Sequence, residues 1–436
     1  MNITKHSVSL QKDKCKGCTN CVKRCPTEAI RIHNGHSVIN EDRCIDCGEC
    51  IRVCPYKAKT ASYDKLDKFK DYKWKIALPA PALYGQFDNL DDIDYVVSGL
   101  IECGFDDVFE VSRAAELISE YTRAYLNRTD IVKPVISSAC PVIARLISVR
   151  FPYLRENLLP IIAPVELAAR TAKKEALEAH PELTEEDICV LFISPCPAKV
   201  SYMRNPIGVE KTAIDGVLSI SDIYFKLVSS MSKIVNPERS SSCGIIGISW
   251  AQSGGEAAAL FNDKYLSADG IENCIKVLDE IENENFAGLE FIELNACHGG
   301  CVGGVLTVEN PFIAKARLQN LRRYLPVSEN HIAQQEKDSM SDSSITTHDI
   351  LWDSNIEYLP VAQLNSDRAA AMKMMSDIQE IYELFPHLDC GACGAPTCRA
   401  FAEDIVRYGG DASECIFLMR ERIRELYRWK KENDGK

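Results

Sequence analysis

The sequence predicts an α/β protein: a wound, largely parallel sheet domain with its active site between sheets, flanked by two small modules. Three observations carry this. Short β-rich runs (WKIALPAP, VKPVISS, ICVLFISP, GIIGISW, LEFIELNA) recur between residues 75 and 325, separated by helical patterns such as EVSRAAELISEYTRAYLN and GGEAAALFNDKYL. Strands alternating with helices favour a wound parallel sheet. The N-terminal 70 residues carry an internal cysteine repeat and are read as a small α+β module of their own. A polar stretch, VSENHIAQQEKDSMSDSSITTHDI, reads as a linker. Beyond it come a helical pattern (SDRAAAMKMMSDIQEIYELF), a further cysteine group and a basic helix (FLMRERIRELYRWKK). The expected boundaries are 1–70, 71–326, a linker at 327–365, and a small helical domain at 366–436.

Composition narrows the function. At 436 residues the chain has room for roughly three domains of about 150 residues each. Its 46% hydrophobic and 26% charged residues are ordinary for a globular protein. No apolar run of membrane-spanning length occurs. The N-terminus lacks the apolar core of a secretory signal. A cytoplasmic protein is therefore expected. A formal charge of −13 argues against nucleic-acid binding. The anomaly is 20 cysteines. Without an oxidising compartment, metal ligation or redox chemistry is the default reading.

The first cysteines form two quartets, Cys15, Cys18, Cys21, Cys25 and Cys44, Cys47, Cys50, Cys54, each reading C-x2-C-x2-C-x3-C-P and repeating after 29 residues. Thiolates are soft ligands suited to iron–sulfur cubanes, which need four. In this pattern the fourth cysteine of each quartet serves the other cluster. Cys15, Cys18, Cys21 and Cys54 then hold one [4Fe-4S] cluster, and Cys44, Cys47, Cys50 and Cys25 the other. Zinc would prefer paired CxxC motifs with long spacers. The segment resembles a bacterial-type two-cluster ferredoxin.

In the central region, SSACPVIARL, ISPCPAKVSY and ELNACHGGCVGG carry Cys140, Cys196, Cys297 and Cys301, each segment just after a predicted strand. Ligands gather beyond the carboxyl ends of strands in wound sheets, so these cysteines can converge. Pro141 suits the first turn of a helix, whose N-terminus favours anions. Gly299, Gly300, Gly303 and Gly304 are expected to let backbone pack directly against a bulky cofactor. On spacing alone, buried unreactive thiols remain an alternative.

These segments resemble, in order, the three signatures of the iron-only ([FeFe]) hydrogenase catalytic domain, and LPAPAL near residue 80 and GGEAAAL near 255 extend the similarity. The resemblance implies an H-cluster. Its [4Fe-4S] cubane would be held by Cys140, Cys196, Cys297 and Cys301. Cys301 would bridge to a diiron subcluster bearing CO, cyanide (CN) and an azadithiolate. Lys199 would donate to a cyanide, while Ala80, Pro81 and Pro195 would line the pocket. Hydrogen and protons would be the substrates.

Departures from the family pattern surround the diiron position. Ala139 stands where the family has a proton-relaying cysteine, and alanine carries no proton. Ser194 and Asn295 replace methionines, and His298 replaces a proline. Loss of a positioned acid–base group costs about 10²–10⁴ in rate, so turnover is expected to be slow. Glu116 and Glu120 are candidates for another proton route, or else solvent-facing helix charges. His298 either titrates near the cluster or simply packs. The combination resembles the sensory branch of the family.

Cys390, Cys393, Cys398 and Cys415 follow C-x2-C-x4-C-x16-C. This resembles the four-cysteine iron–sulfur domain of the Rnf complex B subunit and of corrinoid/acetyl-CoA pathway proteins, implying a third [4Fe-4S] cluster. A zinc ribbon is the alternative. The expected partner is a redox protein, either a ferredoxin or a signalling protein. Two rival functions stay open: a non-catalytic iron–sulfur scaffold, as in Narf-like relatives, and an electron-relay subunit lacking the diiron unit.

Overall fold

The structure is a computed structural model that describes residues 6–286, 288–332, 350–361 and 363–433. The chain divides into two compact units. One holds Ala61–Tyr358 with Ile45–Gly48 and the residues up to Ser7; the other holds Val8–Cys44, Glu49–Thr60 and the chain from Leu359 onward. This cuts across the domain boundaries expected from sequence, because the two small cysteine modules share a unit.

In the larger unit, strands Trp74–Pro79, Asp107–Val108, Ile188–Ser194 and Gly216–Ser219 form a parallel sheet, with Trp74–Pro79 and Ile188–Ser194 in its centre. Side chains alternate faces along a strand. Ile76, Leu78, Val190 and Phe192 therefore enter one core, while Ala77, Cys189, Leu191 and Ile193 enter the other. Both faces are covered, which is why these strands read as unbroken apolar runs. A second parallel sheet orders Tyr265–Asp269, Phe291–Asn295 and Val135–Ile136. GIIGISW, read from sequence as β-rich, is the helix Ile245–Ser249. A short buried apolar run does not distinguish strand from helix.

The expected linker is docked onto this unit at both described ends. Ile245 and Ile246 N–H groups donate to Pro326 O (2.8 Å) and Val327 O (3.1 Å). Ile162 N–H donates to Ile350 O (2.9 Å), and Trp352 N–H to Pro160 O (2.9 Å). Ile332 and Ile350 are buried in the core. Two buried apolar side chains in a polar stretch thus help to seat it. The remainder, 333–349, lies outside the described residues.

In the smaller unit, helix Asn20–Lys23 and strands Ile30–His33 and His36–Ile39 belong to the first cysteine module. Its short helix Glu49–Arg52 carries the second quartet's Cys50. The C-terminal module packs helices Arg368–Glu383 and Cys398–Tyr408 around Ile378, Phe385 and Phe401, and helix Ile416–Asn433 follows. Thr397 caps the middle helix by accepting from Ala400 N–H (3.0 Å). Among the described residues, no helix is long and apolar enough to cross a membrane.

Candidate functional site

The carboxyl ends of the central strands of both sheets open on one cavity of the larger unit, lined by Cys140, Cys196, Cys297 and Cys301. Two of these cysteines start helices. Cys140 precedes Pro141–Arg150 and Cys196 precedes Pro197–Arg204, each with proline in the first turn. Proline has no N–H to lose there. The free N–H groups behind it favour an anionic sulfur at the helix start. Cys297 and Cys301 sit on a loop closed by bonds from Gly300 N–H to Cys297 O (3.1 Å) and Gly304 N–H to Cys301 O (3.0 Å).

The thiols cannot ionise together without a cation. Burial, then the neighbouring Cys140, push Cys196 up to about 11 and Cys301 to about 12. Cys301 is the most open of the four, and it opens onto the cavity that it lines. Ala80, Pro81, Ala139, Pro195 and Lys199 share this lining. The Lys199 ammonium donates to Ala139 O (3.3 Å), which uses one of its three donors. Burial lowers its pKa and the surrounding cysteines oppose that shift.

Two buried carboxylates, Glu256 and Glu293, also line the cavity; sequence reasoning singled out neither. Glu293 accepts from Gly254 N–H (3.0 Å), Ala257 N–H (2.8 Å) and the Asn295 amide (2.6 Å). Among the described residues, Glu256 accepts only from the Ser137 hydroxyl, at 2.6 Å on Oε2, and its buried Oε1 has no partner. Burial, then the Glu293 charge, push Glu256 up to about 8. Glu293 has the donors to hold the charge, so Glu256 keeps the proton. The signal was present in GGEAAAL and FIELNAC, where an acid interrupts an otherwise apolar or glycine-rich run.

Other expected residues stand elsewhere. Ser194 is not in the cavity lining: its hydroxyl is 3.1 Å from both Cys196 N and Cys196 O, so it shapes the cysteine turn. His298 is also absent from the lining; its side chain is 53% exposed and sits 3.8 Å from Asp269. It packs over Gly270, where a Cβ would lie 2.4 Å from the ring. Glu116 and Glu120 are neither cavity-lining nor solvent-facing. Glu116 is buried and accepts from Gly244 N–H (2.6 Å), Glu329 N–H (3.0 Å), Asn330 N–H (2.9 Å) and the Asn330 amide (2.7 Å). Glu120 binds His331 Nδ1 (2.7 Å) and Ile332 N–H (2.9 Å). Both anchor the start of the segment expected to be a linker. Of the glycines, Gly300 and Gly304 do line the cavity, and they also pack against the protein's own backbone. A Cβ on Gly304 would lie 2.1 Å from Pro195 O, and one on Gly300 2.4 Å from Ser253 N. Backbone crosses backbone there.

In the smaller unit, Cys15, Cys18, Cys21 and Cys54 line one small cavity, and Cys390, Cys393, Cys398 and Cys415 line another. The repeat is visible in its sulfur contacts: Ala29 N–H donates to Cys25 Sγ and Ala58 N–H to Cys54 Sγ, each at 3.2 Å. Cys50 is in the module core and Cys44 is half-buried, while Cys47, also half-buried, belongs to the larger unit. Cys103, Cys189, Cys243 and Cys274 are buried packing residues. The two cavities lined by quartets measure about 20 Å³ each, against about 110 Å³ for the central one. Four cysteines there enclose more room than four cysteines elsewhere.

Comparison with known proteins agrees with this division. A family described as the iron-only hydrogenase large subunit, C-terminal domain, matches residues 73–261 and 255–305. A 4Fe-4S dicluster domain matches residues 7–55, and an Fe-S cluster family matches residues 385–417. Iron hydrogenase 1 of Clostridium pasteurianum is 24% identical over 370 residues, covering 68% of this chain and 64% of that protein. The acetyl-CoA decarbonylase/synthase complex subunit gamma 1 of Methanosarcina thermophila is 41% identical over 51 residues, 12% of this chain and 11% of its own. The chain spans less than two thirds of the length of either relative. Among solved structures, an [FeFe]-hydrogenase has a TM-score of 0.47 at 15% identity, covering 66% of this chain and 96% of that one. A variant of HydA1 from Chlamydomonas reinhardtii has a TM-score of 0.46 at 15% identity, with 62% and 90% covered.

Proposed function

From the premise that the chain belongs to the iron-only hydrogenase large-subunit family, we propose a slow hydrogenase of the sensory type that interconverts H2 with protons and electrons. The observation that carries this is the size of the central cavity. The four cysteines there line more open space, about 110 Å³ against about 20 Å³ at either quartet, which supports a larger group than a cubane alone. Cys140, Cys196, Cys297 and Cys301 would hold that group, with Cys301 as the bridging ligand. When bound, the H-cluster supplies the redox-active metal and the open site at which H2 is split or formed.

The chain's own residues position, insulate and supply protons. Lys199, with donors to spare beyond Ala139 O, matches an anionic ligand in the cavity. Ala80, Pro81 and Pro195 present apolar surface that excludes water. Ala139 cannot relay a proton. Glu256 is the lining residue suited to hold one at Oε1, and the Ser137 hydroxyl on Oε2 fixes its orientation. A carboxyl poised near neutral pH is the group that proton transfer requires. With no thiol at position 139, the expected turnover is lower than in a chain that has one. Two four-cysteine cavities and the second ferredoxin quartet supply three further [4Fe-4S] sites, through which electrons pass to a redox or signalling protein.

Infrared spectroscopy on anaerobically matured protein tests the reading. Carbonyl and cyanide stretches are expected. Their absence after maturation, with the other clusters present, would leave only a scaffold or an electron relay. Hydrogen/deuterium exchange then measures turnover.

A further inference from the structure

Within the smaller unit, the C-terminal cysteine loop lies against the first ferredoxin site. Gly394, next to Cys393, accepts at its carbonyl from Ile32 N–H (3.0 Å). The approach is backbone on backbone: at a φ of +88°, a Cβ on Gly394 would sit 2.7 Å from Ile32 O. Ile32 itself lines the cavity of Cys15, Cys18, Cys21 and Cys54. Lys23, two residues after Cys21, donates to the carbonyls of Asp389 and, at 2.9 Å, Pro396, on either side of the C-terminal loop. Gly391 packs on the same lysine, its would-be Cβ 3.2 Å from Lys23 Cδ.

Ion pairs hold this face closed. Arg31 clasps Asp404 through two contacts, at 2.5 and 3.1 Å, and both side chains are about four-fifths buried. Arg43, beside Cys44, reaches Glu403 (2.6 Å) and Val361 O (3.4 Å). Those partners flank the C-terminal loop; of the residues the cysteine loop touches, Ile32 lines the first site, Lys23 lies midway between Cys21 and Cys25, and Glu28, which Thr397 reaches at 3.5 Å, follows Cys25. Cys390 is exposed.

We propose that the C-terminal site is the electron port of the chain and exchanges electrons directly with the site of Cys15, Cys18, Cys21 and Cys54, rather than with that of Cys25, Cys44, Cys47 and Cys50. The inference rests on the reading of these quartets as [4Fe-4S] sites. A one-electron carrier protein reduces the C-terminal cubane from the 2+ to the 1+ state. That cubane returns to 2+ as the first ferredoxin cubane goes from 2+ to 1+, so one electron moves and no bond or proton changes. The sequence reverses when H2 is the donor. The route is the chain from Cys393 to Gly394, the hydrogen bond to Ile32, and a through-space step from Ile32 across the cavity that it lines.

The test uses the full chain with its iron–sulfur clusters reconstituted anaerobically and reduced with dithionite. Electron paramagnetic resonance then reads spin–spin interaction between clusters, and iron analysis reads cluster content. In Cys44→Ala/Cys50→Ala the interaction between the two remaining clusters of this unit should persist. In Cys18→Ala/Cys21→Ala the C-terminal signal should become isolated. The reverse pattern overturns the inference. Lys23→Gln/Arg31→Gln keeps every cysteine and covers the case in which the double cysteine variants fold poorly. There the C-terminal interaction should be lost at unchanged iron, and its persistence overturns the proposed contact. Wild-type chain lacking one cluster's worth of iron at the C-terminal site would sink the cubane reading itself, a result distinct from full iron with uncoupled spins.

Discussion

Under the proposed function, proton supply at the central cavity would fall to different residues from those expected from the sequence motifs. Ala139 removes the relaying thiol, and the buried pair Glu256–Glu293 stands in the same lining. Glu256 holds its proton to about pH 8 when folded, against an ordinary value of 4.5. A group whose folded pKa is raised contributes stability fully below about pH 4.5, and loses it as pH climbs to about 8. Glu256→Gln is therefore expected to flatten that part of the melting-temperature profile and to abolish a protonated-carboxyl infrared band. Slower hydrogen/deuterium exchange should accompany it, because glutamine cannot release a proton. Glu116 is the contrasting case. Its carboxylate satisfies five donors from Gly244, Ser328, Glu329 and Asn330 and does not line the cavity. Glu116→Ala should destabilise by about 2–4 kcal/mol, read as a lower melting midpoint. Exchange per loaded diiron unit should stay at the wild-type level.

At the scale of elements, the site is a product of strand ends, helix starts and one glycine-rich crossing. The C-P dipeptides at Cys140 and Cys196 place each sulfur at the N-terminal end of a helix. That much was legible, since proline in a first turn is a local signal. The glycine crossing was legible as a requirement for closeness but not as to its partner, because the backbone at Pro195 is about a hundred residues distant in sequence from Gly304. Gly304→Ala would drive a Cβ to 2.1 Å from Pro195 O. Neither atom can yield without shifting a cysteine loop, so iron bound at the central site should fall while iron at the smaller unit's sites holds. Metal analysis of wild type and variant, each normalised to chain, checks this. The segment Ile245–Ser249 shows the opposite limit: its composition favours a strand, and tertiary packing makes it a helix.

At the scale of the whole molecule, two cysteine modules separated by some three hundred residues of chain share one compact unit. The Arg31–Asp404 and Arg43–Glu403 pairs are mostly buried, so removing one partner strands a charge in a low-dielectric interface. Arg31→Ala/Arg43→Ala should loosen the C-terminal module from the ferredoxin module. Limited proteolysis should then cut the chain after residue 359 markedly faster than in wild type. Unchanged cleavage would mean that the apolar and backbone contacts suffice alone.

Local patterns determined the cysteine groups, the parallel-sheet class and the cysteine turns, because ligand spacing, strand alternation and proline caps act over a few residues. Only the folded chain decided that the central cavity is roomier than the two lined by cysteine quartets, and that Glu256 rather than Glu116 lines it. Burial and charge pairing depend on neighbours brought from distant stretches, and a carboxylate on an amphipathic helix looks the same in sequence whether water or backbone donors meet it.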